Sequence, residues 1–177
     1  MSTPAHAGLR TLVAGVGNIF LGDDGFGVET VRALAGRPLP AHVEVADIGV
    51  RGVHLAYQLL DGYDTLVLVD ATARGGEPGT LYLIEADTPG GSAPQDTLID
   101  GHRMSPDTVL ALLEHLCAGT GGTPPRRTLV VGCEPARVEE GIGLSPQVAA
   151  AVPEAVRMVT DLVRTGEPAR DPQAIRT

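Results

Sequence analysis

Two stretches of the chain, TLVLVDA (Thr65–Ala71) and TLVVGC (Thr128–Cys133), are apolar at almost every position. A strand with one wet face alternates apolar and polar side chains, so an unbroken apolar run of this length fits a strand covered on both faces. RTLVAG (Arg10–Gly15), VEVADIG (Val43–Gly49) and TLYLIEA (Thr80–Ala86) bring the strand-like segments to five. Between them the period changes. GVETVRALAG (Gly27–Gly36) and GVHLAYQLLDG (Gly52–Gly62) space their apolar residues three and four apart, as an amphipathic helix does. SPDTVLALLEHLCAG (Ser105–Gly119) has Ser at the N-cap, Pro at the first helical position and Gly at the end. SPQVAAAVPEAVRMVTDLVRTG (Ser145–Gly166) repeats that opening, and its Pro153 is expected to kink or restart the helix.

Strands alternating with helices predict an α/β fold, a three-layer α/β/α sandwich around a twisted, mainly parallel sheet of about five strands. One connection breaks the pattern. Only ATARGGEPG separates Asp70 from Thr80, too short and too rich in Gly and Pro for a crossover helix. The fourth strand is therefore expected to run antiparallel to the third. The stretch from Ala86 to His102 reads as a long polar loop, of the kind that is often functional. The chain has 177 residues, 43% of them hydrophobic, which suits one core better than two. Residues 1–165 are expected to form a single domain and residues 166–177 a disordered tail.

A net charge of −9, with two Phe, three Tyr and no Trp, argues against a nucleic-acid or anionic-membrane surface. The N-terminus lacks the charged head and apolar stretch of a secretory signal, and no apolar run is long enough to span a bilayer. Two cysteines, Cys117 and Cys133, make neither a disulfide framework nor a thiolate metal knuckle. A cytoplasmic monomer that meets its partner transiently is the expectation.

The glycine turn after the first strand, GVGNIFLGDDGFGV, superficially suits a phosphate. A dinucleotide fold wants a third glycine where this chain has Phe20, although Asp47 stands where a ribose-binding acid would. Asp23 and Asp24 would repel a pyrophosphate across the same turn, and no Gly-Lys-Ser/Thr follows for a Walker loop. The same geometry favours a cation. In an open α/β sheet the carboxyl ends of the strands line the binding crevice. There the Asp23/Asp24 pair, Asp70 at the end of the third strand, and His102 ahead of an SP helix are expected to converge. Carboxylates with an imidazole make a mixed oxygen and nitrogen site for Zn, Ni, Mn or Fe, with positions left open. Plainer roles stand beside this one: Asp23 or Asp24 as a helix cap, Asp70 as a loop anchor, His102 as a solvated side chain. Cys133, at a strand end, is a weaker candidate nucleophile with His102, since free cysteines usually serve as small buried hydrophobes.

Taken in order, GVGNIFLGDDGFGV, DIGVRGVHL, LVLVDA, HRMSPDTVLALL and GCEPARVEEGIGLSPQV resemble the hydrogenase maturation proteases over about Leu12 to Val163. The resemblance implies a five-stranded sheet flanked by helices, and an endopeptidase that removes the C-terminal extension from the large-subunit precursor of a nickel–iron hydrogenase. It implies an aspartic-type or metal-assisted reaction in which the nickel is supplied by the precursor, with no nucleotide. Carried over by motif, the catalytic and metal-binding trio falls on Asp24, Asp70 and His102. Relatives often carry Glu at the first of these, so Asp24 is a departure, shorter by one methylene. Asp23 is expected to cap the helix at the cleft edge, and Gly49 and Gly52 to shape the substrate cleft for the extension. Gly141 and Gly143 suit sharp turns, and Arg51 is a candidate contact to the same peptide. The rival readings are a non-catalytic α/β module binding a metal or a nucleotide, and a metallohydrolase holding its own zinc.

Overall fold

The computed structural model describes residues 10–86 and 106–165. Five strands, β1 (Thr11–Val16), β2 (Val43–Gly49), β3 (Thr65–Ala71), β4 (Leu81–Ala86) and β5 (Arg127–Cys133), form one sheet in the order β2-β1-β3-β5-β4. Four helices accompany it: α1 (Phe26–Ala35), α2 (Gly52–Leu59), α3 (Pro106–Thr120) and α4 (Pro146–Thr165). A single 3-10 turn, Gly22–Gly25, precedes α1.

The apolar runs work as two-sided strands. Leu12 and Ala14 of β1 and Leu66 and Leu68 of β3 pack with Leu55 and Leu59 of α2 and Leu113 of α3. Their neighbours Val13, Val67 and Val69 point the other way, onto Phe26, Val31 and Leu34 of α1 and Val156 and Val159 of α4. Side chains alternate across a strand, so an all-apolar run supplies both cores at once. The sandwich has α1 and α4 on one face and α2 and α3 on the other.

β1, β2, β3 and β5 are parallel, and β4 is antiparallel to β5. The fourth strand does run against the third, yet it does not pair with it, because β5 lies between them. The connecting loop crosses the end of β5 and is fixed there. Thr72 N–H donates to the Cys133 carbonyl (2.8 Å), Gly79 N–H to the Glu134 carbonyl (2.9 Å), and Glu134 N–H to the Thr80 carbonyl (2.8 Å). The buried Glu134 carboxylate accepts from Arg74 N–H (2.7 Å), Gly75 N–H (3.2 Å) and the Tyr82 hydroxyl (2.9 Å). Burial alone would raise Glu134, but these donors outweigh it and hold the group below the usual carboxylate range. A loop too short for a helix is still long enough to step over one strand, about 10 Å.

Pro153 does not restart α4, which runs unbroken from Pro146 to Thr165. Pro153 is exposed, while Ala151, Ala155, Val156 and Val159 bury the opposite stripe against the sheet. That packing offsets the backbone hydrogen bond a mid-helix proline removes. Among the described residues no helix is long and apolar enough to cross a membrane. The expected tail, residues 166–177, lies outside the described residues.

One close approach positions the site. A Cβ on Gly27, in the first turn of α1, would overlap the carbonyl oxygens of Val69 and Val16. The helix start thus rests directly on the ends of β1 and β3. Gly27→Ala is expected to lift α1 and cost about 3 kcal/mol or more, read as a lower urea midpoint. Gly36→Ala, at the other end of α1 with only ordinary contact to meet, should change stability by no more than about 0.5 kcal/mol.

Candidate active site

From β1 the chain leaves through α1 toward β2 on one side of the sheet, and from the central strand β3 it leaves toward β4 on the other. The crevice of such a sheet opens where neighbouring strands diverge in this way, here between the carboxyl ends of β1 and β3. The turn after β1 carries Asp24 to this point, and Asp70 is the penultimate residue of β3.

Gly17 makes the meeting possible. Its φ of 126° suits glycine, and a Cβ there would overlap the Asp24 carbonyl while lying 3.6 Å from Asp70 Oδ1. The Asp24 carboxylate accepts the Asn18 N–H through Oδ2 at 2.8 Å, and Asn18 Oδ1 accepts the Phe20 N–H at 2.9 Å. These short links fold the turn back on itself. Asn18 is a positioning residue that the chain's pattern did not single out, although an Asn at such a place is a common turn former.

Asp70 is half-buried, and its acidity is strongly changed. Burial and the nearby negative charge of Asp24 push it up to about 8, against the weaker opposing effect of the Ala71 N–H. Among the described residues no Lys, Arg or His forms an ion pair with either of the two carboxyls. Such a pair either holds a proton at neutral pH or receives a cation. The donor set fits a divalent metal ion: one carboxylate on the 3-10 turn after β1 and one near the end of β3, both oxygen ligands. Among the described residues no three potential metal ligands gather. His102, the third member of the expected trio, lies outside the described residues.

Asp23 is neither a cap nor a cleft residue. No side chain caps the 3-10 turn or α1, and Asp23 is wholly buried. Its Oδ2 accepts the Ala136 N–H (2.8 Å), the Arg137 N–H (2.9 Å) and the Ser145 hydroxyl (2.8 Å), and its Oδ1 accepts the Ser145 N–H (2.7 Å). Burial alone would raise Asp23, but donation from Ser145, Arg137 and Ala136 overcomes this and holds it below the usual range. Asp23 therefore fastens the 134–145 segment to the turn that bears Asp24. Backbone pairing reinforces the link, since Gly22 N–H donates to the Gly141 carbonyl and Gly141 N–H to the Phe20 carbonyl, both at 2.9 Å. Ser145 spends its hydroxyl on Asp23.

Gly49 ends β2. It adopts a left-handed φ of 59°, and its carbonyl accepts the Gly17 N–H at 2.9 Å. Gly52 is buried at the start of α2. Arg51 folds back on its own strand end, donating to the carbonyls of Asp47 (2.9 Å) and Ile48 (3.3 Å). The Asp47 carboxylate meets Arg32 at 3.2 Å. Cys133 is fully buried, and burial with the charges of Asp23 and Glu134 pushes its thiol up to about 12. It stays protonated and cannot serve as the nucleophile.

The family described as HycI, hydrogenase maturation protease, matches residues 28–162. Hydrogenase 2 maturation protease of Escherichia coli (strain K12) is 35% identical over 159 residues, covering 88% of this chain and 92% of that protein. Hydrogenase expression/formation protein HupD of Rhizobium leguminosarum bv. viciae is 31% identical over 161 residues, covering 88% of this chain and 75% of that one. Among solved structures, the hydrogenase maturating endopeptidase HybD from E. coli superposes with a TM-score of 0.71 at 32% identity, covering 89% of this chain and 94% of its own. A paired-acid crevice on a fold held in common over nearly the whole chain leaves one assignment: this chain belongs to the hydrogenase maturation protease family.

Proposed function

We propose that the protein is the endopeptidase that removes the C-terminal extension from the nickel-loaded large-subunit precursor of a nickel–iron hydrogenase. The observation that supports this reading is the Asp24–Asp70 pair at the β1/β3 crevice, which lacks a neutralising partner among the described residues and would gain one from a substrate-borne cation. The nickel belongs to the precursor, and the protease needs no tightly held ion of its own. Asp24 and Asp70, with His102 as the third ligand, engage that nickel from the side the precursor leaves open. The bond to be cut is thereby held over the crevice, and hydrolysis gains chiefly from proximity and orientation. A water oriented by a carboxylate then attacks the scissile carbonyl. Such a protease acts as a monomer in the cytoplasm, where the precursor is assembled.

The test compares nickel-loaded and nickel-free precursor incubated with the purified protein. The loaded form is expected to shorten and the nickel-free form to persist, by at least a hundredfold difference in rate. Equal cutting of both forms would refute the nickel-guided mechanism. No cutting of a competent loaded form would refute the protease reading as a whole.

A further inference from the structure

Six large apolar side chains stand exposed among the described residues: Phe20, Val50, Val53, Tyr57, Val138 and Ile142. They are not scattered. All belong to segments that leave the carboxyl ends of β1, β2 and β5, the edge of the sheet that carries Asp24 and Asp70. Single exposed apolar residues are ordinary, but their gathering at one edge marks an interaction surface.

Phe20, Val138 and Ile142 belong to the turn that bears Asp24 or to the segment tied to that turn. Phe20 and Ile142 flank the Leu21–Gly141 bridge, and the Phe20 carbonyl accepts the Gly141 N–H at 2.9 Å. Val138 follows Arg137, whose amide Asp23 holds at 2.9 Å. The segment bearing Val138 and Ile142 is thus tied to the turn bearing Asp24 at three places: residues 136–137, 141 and 145. Ile142 is 81% exposed and Phe20 59% exposed on this fixed backbone. Phe20 also occupies the position where a phosphate loop would carry glycine, a substitution that the acid pair alone does not require.

We infer that Phe20, Val138 and Ile142 form an apolar lip that docks an apolar segment of the precursor polypeptide adjoining the bond to be cut. The inference rests on the proposed protease function, because it takes its occupant from it. A polypeptide whose scissile bond lies over Asp24 has the lip beside it, since Phe20 stands four residues earlier in the same turn. Its role is binding: it touches chain beside the reacting carbonyl and contributes to KM more than to kcat.

The experiment measures initial processing rates against nickel-loaded precursor concentration for the wild type, Phe20→Ser, Ile142→Ser, the double variant, and Ile142→Leu. Each serine variant is expected to lose about tenfold in kcat/KM, and the double variant about a hundredfold, with kcat held within about twofold. Ile142→Leu should retain wild-type kinetics, and the melting temperature of every variant should stay within a few degrees because the side chains are exposed. A double variant with unchanged kcat/KM would overturn the lip while leaving the protease function intact. So would a loss confined to kcat, or a wild-type dimer that the double substitution dissolves, since a second copy would then be the occupant. Failure of the wild type to shorten the loaded precursor would remove the protease function, and the lip's assignment with it.

Discussion

Asp70→Asn is expected to abolish precursor processing and at the same time make the protein more stable at alkaline pH. The loss of activity follows from removing one of two carboxylates at the crevice, with a fall of about 10³-fold or more in rate. The gain follows from linkage. Asp70 titrates near 8 in the folded protein, far above its ordinary value of 3.8. Below pH 3.8 it is protonated in both states, and its contribution to folding is fully present. As pH rises toward 8 the unfolded chain releases the proton that the folded state still holds, and stability is progressively lost. Asparagine has no proton to release. The melting temperatures of the two proteins should therefore nearly coincide at pH 4 and separate as pH rises, with the variant higher by a few kcal/mol, or roughly 10 °C, above pH 8. Thermal melts across that range, without added metal, decide the matter. A wild type equal to the variant at pH 8.5 would show that the two acids do not share one charge-poor crevice.

The second large effect belongs to Asp23. Replacing it with Ala leaves the amides of Ala136, Arg137 and Ser145 and the Ser145 hydroxyl without their acceptor. Losing the acceptor for several donors at once should cost about 3–5 kcal/mol, measured as a lower urea midpoint. Its pH signature is opposite to that of Asp70. A carboxylate whose folded value is depressed contributes stability above its unfolded value, near 3.8, and loses it as pH falls through the lower folded value. Asp23→Asn should therefore lie below the wild type at neutral pH and converge on it in acid. Processing should fall too, because the turn that Asp23 anchors bears Asp24.

Much of this architecture was legible in the sequence, and the physical reason is burial. Two-sided strands must be apolar throughout, so β1, β3 and β5 announced themselves, and the acids that interrupt such runs at their carboxyl ends stood out as site candidates. The position of β4 was not legible. Its direction follows from the short connection, but its neighbour is decided by hydrogen bonds to Glu134, about sixty residues away from Arg74. Asp23 was misread for a related reason. A carboxylate at a helix start has a local use as a cap, whereas its actual partners lie more than 110 residues onward. Pro153 does not restart α4 because a local backbone penalty competes with the packing of a whole helix face, which no single residue displays. Gly27 sits outside the spacing that a dinucleotide motif prescribes, yet it provides the same close contact between helix and strand.

The ties at residues 136, 137, 141 and 145 also divide the segment after β5 into parts with different freedom to change length. Each tied amide has a partner fixed by the turn after β1, so an insertion at or beside it would slide the segment out of register. Among the described residues, none holds the backbone between Val138 and Glu140 in this way. Residue number can vary at Glu139 and Glu140 while the acids and Val138 stay where they are, which makes that dipeptide the place for a designer to graft a new recognition element.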